Sequence, residues 1–343
     1  MNTILITLLI IALLILAHEW GHFITARRIG IPVYEFAIGF GPKVFSWKRN
    51  GVIYSLRLIP LGGFVRMAGE EPGDPEEPNG FSHRTPLEKI RVSFAGPFMN
   101  FVLALLIFVF SYSVIGLPHS SNEPVIGTVI KGKPAELAGI KAGDRVVSVN
   151  GIAVNSWADF NRQTSRSSGQ PLELQLERKQ QRLSLEVSPV KLDSSGNMGI
   201  GVLNRVVYEK QGIIKSMELG LKQTYELTLL LFSALGILIS GGASMGDLAG
   251  PVGITHLVGE FAQMGIIFLL NFTAFLSINL GIMNLLPIPA LDGSKIVFAV
   301  VEAIRKKPLD PEKEGFLNWI GFLFLIGLMI IVTFNDIVRW IRG

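Results

Sequence analysis

Four to five stretches of this chain are apolar enough to lie in a lipid bilayer, and a fold that left them in water would not hold together. They run roughly over Ile4–Ala26, Phe94–Leu117, Leu227–Ile239, Ile266–Leu291 and Phe316–Val338. A crossing needs about 20 apolar residues. The Leu227 stretch, broken at Gly241-Gly242, is therefore expected to be short, re-entrant or interfacial. Composition agrees, with 49% hydrophobic and only 17% charged residues, where soluble domains carry about 25% charge. The first run does not read as a cleavable signal: Met1-Asn2-Thr3 has no positive charge and no small-x-small site follows.

Basic residues set the expected orientation. Arg27-Arg28, Lys48-Arg49 and Arg91 follow the first run, and Lys295, Arg305-Lys306-Lys307 and Lys313 follow Asp292. Both loops read as cytoplasmic, with both termini and the region between the second and third main spans outside. The net charge of +4 is accounted for by these loops, so no nucleic-acid partner is expected. The absence of cysteine rules out disulfides and thiolate metal ligands.

Residues 39–67 read as β rather than helix. Lys43–Arg49 and Val52–Leu58 flank Asn50-Gly51, a hairpin turn dipeptide. Residues 70–80 form an acidic, proline-rich loop, expected to be a solvated linker. Residues 118–205 read as a soluble module with strands near Val125–Ile130, Arg145–Val149, Leu172–Glu177 and Leu183–Val187. Short helices are expected at Pro134–Ala138 and Ser156–Thr164. The string from Gly132 to Gly151, GKPAELAGIKAGDRVVSVNG, resembles the core of bacterial PDZ domains. Met198, Gly199, Ile200, Gly201 and Val202 resemble the strand on which such domains accept an extended peptide, with the Ser156–Thr164 helix as the opposite wall.

His18-Glu19-Trp20-Gly21-His22 lies inside the first apolar run. On a helix this spacing sets two imidazoles about 40° and ~6 Å apart. Both can reach one Zn²⁺, with Glu19 placed as the general base. Ionisable groups in a span are costly and mark function. A catalytic zinc takes three protein ligands. His83, His119 and His256 fall in loops or irregular stretches, whereas Asp292 ends a run that must travel outside to inside. His18 lies ~21 Å along its helix from Ile4, about two-thirds of the way across the hydrocarbon. Pro287 and Pro289 end the late helix, so Asp292 can meet the histidines at similar depth.

Three elements together carry a resemblance: His18-Glu-x-x-His22, Gly96-Pro97-Phe-Met-Asn100, and Asn284-Leu-Leu-Pro-Ile-Pro-Ala-Leu-Asp292-Gly293. They resemble the site-2 protease family, in its regulator-of-sigma-E protease branch, across essentially the whole chain. The resemblance implies a polytopic α-helical membrane protein with about four transmembrane helices, a membrane-associated β-hairpin and an inserted α/β PDZ domain. The implied divisions are 1–117, an N-terminal membrane region; 118–205, the extracytoplasmic PDZ domain; 206–265, a connector; and 266–343, a C-terminal membrane region.

It also implies intramembrane zinc proteolysis in the bacterial cytoplasmic membrane, at a site towards the cytoplasmic side. His18, His22 and Asp292 would be zinc ligands and Glu19 the base. Substrate contacts would come from Asn284 and Pro287, and from Val52, Tyr54 and Leu56 on the hairpin edge, while Asn100 would either touch substrate or pack within the second span. Partners would be membrane lipid, single-span substrates such as a trimmed anti-sigma factor or leftover signal peptides, and a peptide ligand of the PDZ domain. Two rival classes stay open: a catalytically silent PDZ scaffold, and a metal or proton transporter. Transporters usually show internal repeats, and this chain shows none.

Overall fold

The computed structural model describes residues 2–70, 77–191, 198–242 and 249–342. Most of the acidic loop expected at 70–80 lies outside them. The chain divides into two compact units, residues 1–113 with 212–343, and residues 114–211.

The first unit is built on helices. α1 (Thr3–Ile29) opens with the Asn2 side chain accepting from the Ile4 N–H and closes at Gly30 in the left-handed region. Two strands follow, β1 (Val33–Arg49) and β2 (Val52–Met67), joined by Asn50 and Gly51 at φ 49° and 82°. Two positive φ values in sequence make the type I′ turn that Asn-Gly favours. The strands are longer than the expected hairpin, and each folds over. Residues 35–38 pair on one side with 63–66 and on the other with 53–56, while 43–49 pair with 52–57. Four segments therefore lie side by side in the order 43–49, 52–57, 35–38, 63–67. Phe23 of α1 packs against Phe36 and Tyr54, and Met67, Phe81 and Val92 close the same core. Phe40, Phe45, Trp47 and Leu58 are exposed, an apolar patch on the outside of the sheet.

α2 (Pro86–Phe110) begins eight residues before the apolar run, because Thr85 and Glu88 form a capping box and Pro86 suits the first turn. It ends in a π turn over Ser111–Ile115. After the second unit come α5 (Ile213–Ile239), α6 (Pro251–Met264), α7 (Ile266–Leu285), α8 (Asp292–Arg305) and α9 (Pro311–Arg342). Among the described residues, five helices are long and apolar enough to cross a membrane: α1, α2 with its π turn, α5, α7 and α9. The Leu227 stretch is thus part of a 27-residue helix rather than a short one. Its best window has a mean hydropathy of 1.2, against 2.0–2.3 for the other four. Gly259 of α6 lies against Thr3 at the start of α1. Asp336 of α9 accepts from the Gly253 N–H at 2.8 Å, capping α6 from a neighbouring helix.

The second unit comprises β3 (Leu117–Ser120), β4 (Ile126–Val129), α3 (Pro134–Leu137), β5 (Arg145–Val149), β6 (Ile152–Ala153), α4 (Trp157–Arg166), β7 (Leu172–Arg178), β8 (Gln181–Val187), β9 (Val190–Lys191), β10 (Met198–Gly199), β11 (Val202–Asn204) and β12 (Val206–Glu209). A four-stranded sheet runs β6-β5-β7-β8, and β11 pairs with β4. Ile126, Val146, Phe160, Leu172, Leu174, Leu176 and Ile200 form its core. Ile200 is 1% exposed, so its side chain packs inside rather than lining a groove. α4 lies beside β10.

Asp144, 1% exposed, takes two hydrogen bonds of 2.7 Å from Arg178 and one of 2.8 Å from the Lys141 N–H. Burial opposes its charge, but the Arg178 and Lys141 bonds outweigh burial and hold the carboxyl below the usual carboxylate range. A depressed folded value means the stabilisation is present above pH ~4 and is lost as pH falls through that lower value. Arg178→Met is expected to cost about 2–4 kcal/mol at neutral pH, because it strands a buried charge. The deficit should shrink on acidification, as read from the urea dependence of proteolysis within 114–211.

Candidate metal centre

His18 and His22 lie one turn apart on the face of α1 that packs on α2. The Nε2 atoms of the two rings are 3.1 Å apart. Asp292 Oδ2 stands 3.0 Å from one and 3.3 Å from the other. Among the described residues these three form the one group of His, Asp or Glu side chains poised to share a metal. Tetrahedral zinc with ligands at ~2.0 Å spaces them about 3.3 Å apart, so the triangle fits that ion. The donor set, two imidazoles and one carboxylate, leaves the fourth position free for water, as catalytic zinc requires.

α7 brings Asp292 here. Gly281 packs on the Pro97 carbonyl and on Asn100 of α2, and Ser277 Oγ donates to the Asn100 carbonyl at 2.8 Å. α7 then ends at Leu285 before the Pro287 and Pro289 turn, and α8 starts on Asp292 itself. A Cβ at Gly293 would fall 2.2 Å from the Leu286 carbonyl, so only glycine lets the chain double back this tightly.

The rings are held from behind. His22 Nδ1 donates to the Val92 carbonyl at 2.8 Å, which fixes the tautomer and leaves Nε2 bare for a metal. His18 Nδ1 faces the Asn100 carboxamide at 3.2 Å. With Nε2 bare, Nδ1 carries the proton and needs an acceptor. The Asn100 oxygen, buried without a hydrogen-bond partner, supplies it when the amide is turned about χ2. Asn100→Leu is therefore expected to weaken zinc binding by about 10–100-fold. Competition with a chromogenic chelator would measure this, and unchanged affinity would refute the assignment.

A cavity of about 260 Å³ opens on the triad, lined also by Glu19, Asn284, Ser93, Lys295, Glu70 and the strand residues Phe64, Val65 and Met67. Glu19 and Asn284 thus lie in the same cavity as His18, His22 and Asp292. Asn100 is 0% exposed and sits behind His18, which favours the packing role over contact with substrate. Two other expectations are corrected. Pro287 is exposed on its turn and does not line the cavity. Val52, Tyr54 and Leu56 lie on a segment with neighbours on both sides, so they offer no edge, and Val52 is 3% exposed in the core.

The edge beside the metal site is Gly63–Met67, which no strand covers on its outer side among the described residues. Ser93, Glu70 and Lys295 were missed as well. Ser93 places a buried, unpartnered hydroxyl in the cavity wall. Of the three, only Lys295, a charge one turn past Asp292, left a trace that the sequence could have yielded.

Comparison with known proteins agrees with this geometry. The model of peptidase family M50 matches residues 6–328. The zinc metalloprotease RasP of Bacillus licheniformis is 35% identical, over 99% of this chain and 99% of its own. The regulator of sigma-W protease RasP of Bacillus subtilis is 33% identical, over 98% and 99%. A putative zinc metalloprotease of Clostridium perfringens is 39% identical, over 98% of each chain.

Proposed function

Because the chain belongs to peptidase family M50, we propose that it is a zinc metalloendopeptidase cutting single-span membrane proteins in or beside their membrane segments. The observation that carries this reading is the triangle of His18, His22 and Asp292, edges 3.0–3.3 Å, opening on the cavity that Glu19 lines. Zinc held by these three would supply Lewis acidity, polarising the scissile carbonyl and the attacking water. Glu19 takes the proton of that water and returns it to the leaving amine. Asn284 lines the cavity with its Nδ2 donating to the Leu280 carbonyl at 3.1 Å, and the second hydrogen of that amide can bond the substrate's carbonyl oxygen.

A transmembrane helix keeps its amides in internal hydrogen bonds and must unwind before it is cut. The free edge at Gly63–Met67 can take the unwound segment as an added strand, beside the metal site. Substrates of the anti-sigma-factor type, or remnant signal peptides, suit a site of this kind. A peptide strand could dock between β11 and α4, or the 114–211 unit could act as a size filter.

Four crossings, α1, α2, α7 and α9, set both termini and residues 114–211 outside the bacterial cytoplasmic membrane and the zinc site towards the cytoplasm. α5 would lie at the outer surface. Thr3 meets α6, and the single residue Gly265 separates α6 from α7, so a crossing by α5 would need the chain to return through the bilayer between α5 and α6. A silent scaffold would have no use for Glu19 in the cavity wall. The test is cleavage of a single-span substrate by purified protein in detergent. Activity should vanish with a chelator and return with zinc; cleavage that persists after verified metal removal would overturn the reading.

A further inference from the structure

The edge strand is tied down at both ends. At one end Gly63 packs on α1, where a Cβ would stand 3.3 Å from Ile15 and 3.4 Å from Glu19. At the other, Glu70, three residues past the end of β2, bonds Lys295 Nζ at 2.6 Å. Lys295 lies three residues after Asp292, one turn along α8. The two side chains come from positions 225 residues apart, are 18% and 27% exposed, and both line the metal cavity. Neither belongs to the metal-ligand set. An ion pair shielded from water is worth several times an exposed one, and it bridges the two parts whose spacing matters, the substrate edge and the helix that carries a metal ligand.

We propose that the Glu70–Lys295 ion pair is a positioning strap that fixes the register of the Gly63–Met67 edge over the metal site, and so sets which bond of a docked strand is cut. This rests on the proteolytic reading above. A strand advances ~3.4 Å per residue, and a one-residue slip reverses which side chains face the site. Small displacements of the strap therefore change the bond presented as well as the rate.

The test uses the full chain, zinc-loaded in detergent, with a single-span substrate and mass spectrometry of the products. Lys295→Met and Glu70→Gln should each lower kcat/KM by about tenfold or more, spread the cuts over neighbouring bonds, and keep zinc at the wild-type content. The chain has no cysteine, so Glu70→Cys with Lys295→Cys makes a unique pair that a short bis-maleimide can bridge. Bridging should restore both the rate and the single cut position, while the unbridged double variant stays impaired. Wild-type kinetics and cut positions in the single variants would overturn the strap. So would zinc loss in them, or a bridge that rescues nothing. Failure of the unmutated chain to cleave in a zinc-dependent way would instead count against the proteolytic reading.

Discussion

Glu19→Gln is expected to reduce kcat by about 10³–10⁴-fold while zinc content stays at the wild-type level. The substitution keeps the length and shape of the side chain. That matters because a Cβ at Gly63 would stand only 3.4 Å from Glu19 Cγ, so the packing around it is close. It removes the one carboxylate of the cavity wall that neither holds a ligand position nor pairs with Lys295. His18, His22 and Asp292 keep their mutual distances of 3.0–3.3 Å, and the bonds behind them, to Val92 and Asn100, are on another helix. Single-turnover cleavage beside metal analysis separates the outcomes. Cleavage within tenfold of wild type would put the base elsewhere. Loss of zinc would make Glu19 part of the metal cradle.

The triad was legible because its information is local. The His18–His22 spacing is one helical turn, and the depth of Asp292 follows from helix rise and two prolines. The turn at Asn50-Gly51 was equally local. What the sequence concealed depends on pairings far apart in the chain. Residues 35–38 slot between 53–56 and 63–66, and no alternation pattern says which segment becomes the edge, so Val52, Tyr54 and Leu56 were misplaced by one position in the sheet. Asn100 was recognisable as a polar residue in a span. Whether it faced substrate or a ligand depended on the rotation of α2 against α1, which only tertiary packing sets. The first half of α5 was hidden because Lys215, Glu218, Lys222 and Glu226 interrupt its hydrophobic run.

That rotation rests on two glycines, and Gly96→Ala is expected to weaken zinc binding by about 10²-fold or more with little change in helix content. A Cβ at Gly96 would fall 2.2 Å from His22 Nε2 and 2.6 Å from Cε1. The ring cannot give way freely, since its Nδ1 is held by Val92 one turn earlier on the same helix. Facing it, a Cβ at Gly21 would meet the Ala95 carbonyl at 2.2 Å, so α1 and α2 touch at backbone distance, as small residues allow within membranes. An added methyl must either turn the imidazole or part the helices. Each pulls Nε2 away from the other two donors, and a zinc site tolerates only tenths of an ångström. Gly21→Ala should have the same effect through the second route. Gly236→Ala, where a Cβ meets nothing within 4 Å, should leave zinc affinity unchanged and, through better helix propensity, add up to about 1 kcal/mol of stability. Chelator competition on the three variants decides it: equal zinc affinity at Gly96→Ala and Gly236→Ala would mean that the close approach of α1 and α2 does not hold His22 in place.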